Sequence, residues 1–199
     1  MPKVSQAHLD ARRGQILEGA VACFARQGFH RTTMQDIVSE CGLSPGAIYN
    51  YFEGKEQIIE AIADARHGKE EAFIAAAKEQ ATVGDALRQI RDGFFRDLDD
   101  PHERRRRRVS IQLWAEAQRN PRIKKLVRRG IDQPRELLAA LIRDGQQRKE
   151  VAADLDPEAT ARLMIAVFHG FVLQLDWDGH AQVEPYVEVL DALLKRLLS

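Results

Sequence analysis

Apolar residues recur every three to four positions along most of the chain, and no alternating run of β-branched and aromatic residues bounded by turns interrupts that rhythm. The pattern predicts an all-α protein of about nine helices, over residues 10–27, 33–41, 44–52, 55–80, 84–98, 101–119, 121–149, 157–176 and 184–198. At Asp100-Pro101-His102-Glu103 a capping aspartate is followed by proline at the first helical position and by glutamate three residues after the cap. That order satisfies backbone donors a helix start leaves unpaired. Asn120-Pro121 and Asp156-Pro157 repeat the cap and the proline. Pro134 works the other way. It falls inside the apolar stripe Ile123, Leu126, Val127, Gly130, Ile131, Leu137, Leu138 and Leu141, where its ring should clash with the Gly130 carbonyl. A kink is expected there, with a break into two helices as the alternative.

Residues 32–56, TTMQDIVSECGLSPGAIYNYFEGKE, have helix-turn-helix grammar. Thr33 can cap the first helix with Asp36 three residues on, Gly42 suits a turn that needs positive φ, and Ser44-Pro45 caps and opens the second helix. Ile37, Val38, Cys41, Leu43, Ile48 and Phe52 fall on the inward sides, leaving Pro45, Gly46, Ala47, Tyr49, Asn50 and Tyr51 on or near the outside. Small residues there would let the backbone approach base edges and touch a thymine methyl. The tyrosine hydroxyls, Lys55 and the Thr33 cap would hold phosphates and fix the register. A helical hairpin that only packs against the first helix is the alternative.

The eighth helix is apolar almost all round, which calls for cover on several sides. The last helix adds the stripe Tyr186, Val187, Leu190, Leu193, Leu194 and Leu197, and Gly170 would let another helix come close. A two-fold homodimer built on these two helices is expected, which also gives two reading heads for two half-sites. Packing within one chain is the alternative.

Composition narrows the class without changing the fold. The 199 residues are 44% hydrophobic and 30% charged, which suits a folded chain. No apolar run approaches a membrane span and the N-terminus lacks a secretory h-region, so the cytoplasm is the expected location. Cys23 and Cys41 read as reduced core residues rather than a disulfide or metal framework, and neither a metal nor a cofactor is expected. With 30 basic and 30 acidic residues the net charge is zero, so any nucleic-acid site must be local. Residues 1–55 carry six Lys/Arg and five Asp/Glu, which predicts modest non-specific DNA affinity.

The five arginines Arg104 to Arg108 fan around the first turns of their helix and cannot form one flat patch. Arg105, Arg108, Gln112, Glu116 and Arg119 share a polar arc with Arg104, opposite Val109, Leu113, Trp114 and Ala117; Arg106 and Arg107 point toward the apolar side. These two either cover apolar surface and pair with carboxylates or hold an anionic small molecule; DNA contact is a third reading. Phe73, Phe94, Phe95, Trp114, Gln118, Met164 and Phe168, with Arg106 and Arg107, are the candidates for an effector cavity. His169 reads as an interior histidine. No nucleophile with a base and an orienter is apparent, so an enzyme is not expected.

The motifs Phe24-Ala25-Arg26-Gln27-Gly28-Phe29, Thr32-Thr33-Met34-Gln35-Asp36-Ile37, Gly42, and Tyr49-Asn50-Tyr51-Phe52-Glu53-Gly54-Lys55 resemble the DNA-binding region of the TetR/AcrR family of bacterial transcriptional regulators. The resemblance spans roughly residues 10–60. It implies a three-helix helix-turn-helix domain over 1–54 and a ligand-binding and dimerisation domain over 55–199, with double-stranded operator DNA and a small-molecule effector as partners. It further implies that Gln35, Pro45, Gly46 and Ala47 face bases while Thr33, Ser44, Tyr49, Tyr51 and Lys55 contact the DNA backbone. Gly46 is smaller than the side chain many members carry, which shifts specificity toward DNA shape. The implied activity is that of a repressor released from its operator by the effector. The rivals are a helical ligand- or partner-binding protein without DNA function, and a helical-bundle enzyme, for which no E-x-x-H pair is present.

Overall fold

Nine α-helices and no strand are present among the described residues of this computed structural model, which are 5–96, 98, 100–178 and 182–197. They are α1 (Gln6–Gln27), α2 (Met34–Cys41), α3 (Pro45–Tyr49), α4 (Lys55–Ala77), α5 (Val83–Phe95), α6 (Pro101–Glu116), α7 (Pro121–Gln147), α8 (Pro157–Trp177) and α9 (Val183–Leu197). Residue 198, the expected end of the last helix, the side chain of Leu197, and Asp97 within the fifth expected helix lie outside the described residues.

Local chemistry sets the ends. Ser5 accepts from the His8 N–H, so α1 begins four residues before the expected start. Asp156 accepts from the Ala159 N–H at 2.6 Å, and Asn120 from those of Arg122 and Ile123, as cap-plus-proline starts should. Several helices end before the expected residue. After Ala77 the bonds tighten to the i→i−3 kind, with Lys78, Glu79 and Gln80 donating to Ala75, Ala76 and Ala77. Past α7, Lys149 adopts a left-handed φ of 61°, which stops the helix short of it. Pro134 lies within α7, which remains one helix, so the break considered from the sequence does not occur.

The chain folds into two compact units, Met1–Arg66 with Arg105–Leu126, and His67–Arg104 with Val127–Ser199. The boundary expected after residue 54 precedes α4, whereas the division between the units falls within that helix.

In the first unit Ile16, Ala20, Cys23 and Phe24 of α1 meet Ile37, Val38 and Cys41 of α2, and Ile48, Ile58, Ile59, Val109, Leu113 and Ile123 are buried in the same unit. Each fully buried isoleucine or phenylalanine contributes about 1.5–3 kcal/mol relative to exposure. Contact between α1 and α2 is close: a Cβ at Gly19 would collide with Cys41 Sγ. Both cysteines are free and buried, and burial pushes the Cys41 thiol up to about 11.

The second unit has its own core, in which Ile74 of α4, Leu87 and Ile90 of α5, Leu138 and Ile142 of α7, Ala161 of α8 and Leu194 of α9 are buried together. An aromatic cluster lies in the same unit, with Phe94 and Phe168 edge-on at 4.9 Å and Phe171 stacked on Tyr186 at 3.9 Å. Tyr186 donates its hydroxyl to the Val167 carbonyl at 2.9 Å, which gives this half-buried polar tip a partner.

Candidate DNA interface and effector cavity

The turn between α2 and α3 is built by three residues. Gly42 takes the left-handed conformation, φ 63°, and its N–H returns to carbonyls of Val38 and Ser39. Ser44 Oγ accepts from the Ala47 N–H at 3.3 Å, and Pro45 opens α3. Only Ile48 of α3 is buried. Ser44, Pro45, Gly46, Tyr49 and Asn50 are exposed, as is Gln35 on α2, while Ala47 and Tyr51 are half-buried. A Cβ at Gly46 would meet nothing within 4 Å, and Tyr49 stands 51% exposed beside it. The outer surface is therefore low at its start and aromatic at its end.

Thr33 closes a full capping box. Its backbone N–H and hydroxyl both donate to Asp36 Oδ2 at 2.8 Å, and the Asp36 N–H donates to Thr33 Oγ1 at 3.2 Å. Gln27 Nε2 adds a bond to the same carboxylate at 3.0 Å. These donors, the Thr33 backbone N–H foremost, hold the Asp36 carboxyl below its usual range. The Thr33 hydroxyl, expected on a phosphate, is thus engaged within the protein.

Lys55 is placed differently from the phosphate contact the sequence suggested. Its ammonium donates to the carbonyls of Phe29 at 2.9 Å, Thr32 at 3.1 Å and His30 at 3.2 Å, and lies 4.7 Å from the Phe29 ring centre. An ammonium has three donors, and all three are occupied. The side chain ties the α1–α2 loop to the start of α4.

Arg106 and Arg107 lie in the first unit, with Trp114 and Gln118. Arg106 pairs with Glu18 of α1, the carboxylate partner that one of the sequence readings allowed. Arg107 is buried at 8% exposure. Within the same unit Glu116 pairs with His30, and Arg122 with Glu60.

The second unit contains a cavity of about 150 Å³. Of the nominated effector residues, Phe94, Phe95, Met164 and Phe168 line it; Phe73 stands behind, edge-on to Phe94 at 6.3 Å. The wall also takes in Leu163, Leu190 and Leu193, and Gly130 and Pro134 of α7, none of which the sequence pattern marked as cavity residues. The proline was visible as an irregularity, since it denies the Gly130 carbonyl its helical donor. Glu70, Arg91 and His169 are the ionisable groups of the lining. The Arg91 guanidinium pairs with Asp92 at 2.7 Å and with Asp191. Bonds from Lys195 and Arg91 in turn hold the Asp191 carboxyl below its usual range. Among the described residues no cluster of three or more His, Cys, Asp or Glu could hold a metal, and no helix is long and apolar enough to cross a membrane.

A helix-turn-helix with an open outer face, together with a helical unit that holds an apolar cavity, defines a DNA-binding regulator. Residues 16–62 match the model of bacterial regulatory proteins of the tetR family, and residues 83–199 match that of the BetI-type transcriptional repressor C-terminal region. The chain belongs to the TetR family of transcriptional regulators. It is 26% identical over 202 residues to the HTH-type transcriptional regulator UidR of Escherichia coli K12, covering 98% of this chain and 96% of UidR. Salmonella enterica GusR has a matching structure with a TM-score of 0.79 at 27% identity, over 98% of both chains. The SmeT–triclosan complex matches in fold, with a TM-score of 0.75 at 20% identity, over 85% of this chain and 82% of SmeT.

Proposed function

We propose that this regulator acts in the cytoplasm as a homodimer that represses transcription from a double-stranded operator and releases it when a small molecule enters the cavity of the second unit. The observation that carries the DNA reading is the exposed surface of α3, where open space at Gly46 adjoins Tyr49. In this reading Gln35, Pro45, Gly46 and Ala47 face base edges, while Ser44, Tyr49, Asn50 and Tyr51 face the sugar-phosphate backbone and Thr33 caps the helix that carries Gln35. Lys55 holds the loop that presents them.

Dimerisation through α8 and α9 is supported by Leu163, Trp177, Val189 and Leu193, large apolar residues 54% to 74% exposed on those two helices. Phe94, Phe95, Met164 and Phe168 make the effector wall, with Phe73 as their support. Helix α4 runs from Lys55 to Glu70 of the cavity lining, so it is the natural element for effector and operator to bias in opposite directions. Such coupling is typically about 1–3 kcal/mol and is reciprocal.

The test is operator binding, measured by fluorescence anisotropy on DNA selected from random sequence. Tyr49→Ala should weaken operator binding by about 1–3 kcal/mol through loss of a hydrogen bond to a charged phosphate, and Gly46→Glu should abolish it by charge and bulk at the groove, with helicity unchanged. Unchanged affinity in both variants would sink the assignment of α3 as the reading helix.

A further inference from the structure

We infer that the effector cavity is completed by the partner subunit, and that it takes an uncharged apolar molecule about the size of one aromatic ring. The inference rests on the dimeric, effector-responsive reading given above and specifies its chemistry.

Size and lining set the ligand class. A cavity of about 150 Å³ has the volume of apolar cavities that take up benzene. Its surface comes chiefly from leucine, isoleucine, methionine and phenylalanine side chains. The guanidinium nearby is already paired: Arg91 is held by Asp92 and Asp191. An ionic ligand would have to break such a pairing as it lost its own water. An uncharged ring loses only apolar hydration.

The outer wall sets the need for a partner. Leu163 and Leu193 both line the cavity, yet they are 62% and 54% exposed. Leu163, Gly170 and Trp177 follow one another at seven-residue intervals along α8, with Ala166 and Leu173 between them, which is the a/d spacing of a helix–helix seam. Val189 and Leu193, four residues apart, share a face of α9. A Cβ at Gly170 would meet nothing within 4 Å, so the seam has an open notch between two bulky residues. TetR-type regulators act as dimers, and a seam with bulk on both sides of a notch is self-complementary across a two-fold axis. A second copy seated there covers Leu163 and Leu193 and removes water from the cavity's outer side. Ligand and partner therefore stabilise each other's binding.

Gly170 and Val189 are on the seam and outside the cavity lining, so Gly170→Glu and Val189→Glu can separate subunits without altering the wall. The probe is 4-fluorotoluene followed by fluorine NMR, with oligomeric state from sedimentation and helicity from circular dichroism. Expected is a wild-type dimer that binds the probe and helical, monomeric variants that bind it about tenfold more weakly or worse. Saturating probe should also lower the wild-type dimer dissociation constant by at least the same factor. Equal affinity of monomer and dimer would overturn the shared wall while leaving the effector reading intact. Absence of binding to the wild type would overturn the ligand class. Variants that remain dimeric would overturn the seam itself, and with it the dimer of the functional reading.

Discussion

The Lys55 ammonium donates to the Phe29 carbonyl at 2.9 Å while lying 4.7 Å from the centre of the same residue's ring. One side chain thereby fixes both the backbone and the aromatic group of the α1–α2 loop, and bonds to His30 and Thr32 complete the hold. Lys55→Met should cost about 2 kcal/mol of stability, because carbonyls lose a charged donor. It should also weaken operator binding through misplacement of the reading head. The discriminating measurement is the slope of log affinity against log salt. A phosphate contact would lower that slope by about 1, whereas a holding role leaves it unchanged. The geometry predicts no change.

The capping box at α2 makes a pH prediction. The fold holds the Asp36 carboxyl below its usual range, so it favours the ionised form. Its stabilisation is complete above the ordinary carboxylate value of about 3.9 and is lost as pH falls through the lower folded value. Asp36→Asn should therefore lower the thermal midpoint at neutral pH, and the gap from wild type should close on acidification below pH about 4. Thermal melts at pH 7 and pH 3 check this; a gap that persists at low pH would assign the effect to packing.

What the sequence disclosed follows the range of the interactions. Caps at Thr33, Ser44 and Asp156 act within three residues, and each is where the sequence placed it. The outward face of α3 was likewise legible, since one buried isoleucine, Ile48, orients the whole turn. Lys55 was not, because its three acceptors converge from a loop more than twenty residues away. The cavity was half legible for the same reason. Aromatic residues announced Phe94 and Phe168, but walls drawn from α4, α5, α7, α8 and α9 have no local pattern.

Gly130 and His67 show how closely α4 and α7 pack in the second unit. A Cβ at Gly130 would overlap the imidazole, so an alanine there needs the His67 side chain to move aside, while the backbone conformation itself does not call for glycine. Gly130→Ala should gain up to about 1 kcal/mol in helix propensity and lose about 1–3 kcal/mol to overpacking. Net destabilisation is expected. Adding His67→Ala should recover much of the loss, giving a non-additive double-mutant cycle in urea unfolding. An additive cycle would show that the two residues do not share the site.

The arginine run yields the last prediction. Helical geometry turned Arg106 and Arg107 toward an apolar side but could not say which unit supplies it, since Glu18 is remote in sequence. Arg106 is half-exposed and its pair with Glu18 should contribute about 0.2–1 kcal/mol, so Arg106→Gln and Glu18→Gln should each have small effects on urea unfolding. Arg107 is buried, and Arg107→Gln should cost more, about 1–3 kcal/mol, because the packing and polar contacts of a buried side chain are lost with it. Neither arginine variant should change binding of an apolar probe in the second unit. An anion-binding role predicts the reverse pattern, intact stability with a lost effector response. Unfolding and ligand titration of the same two variants therefore decide between an α6 anchored on α1 and an α6 that senses a ligand.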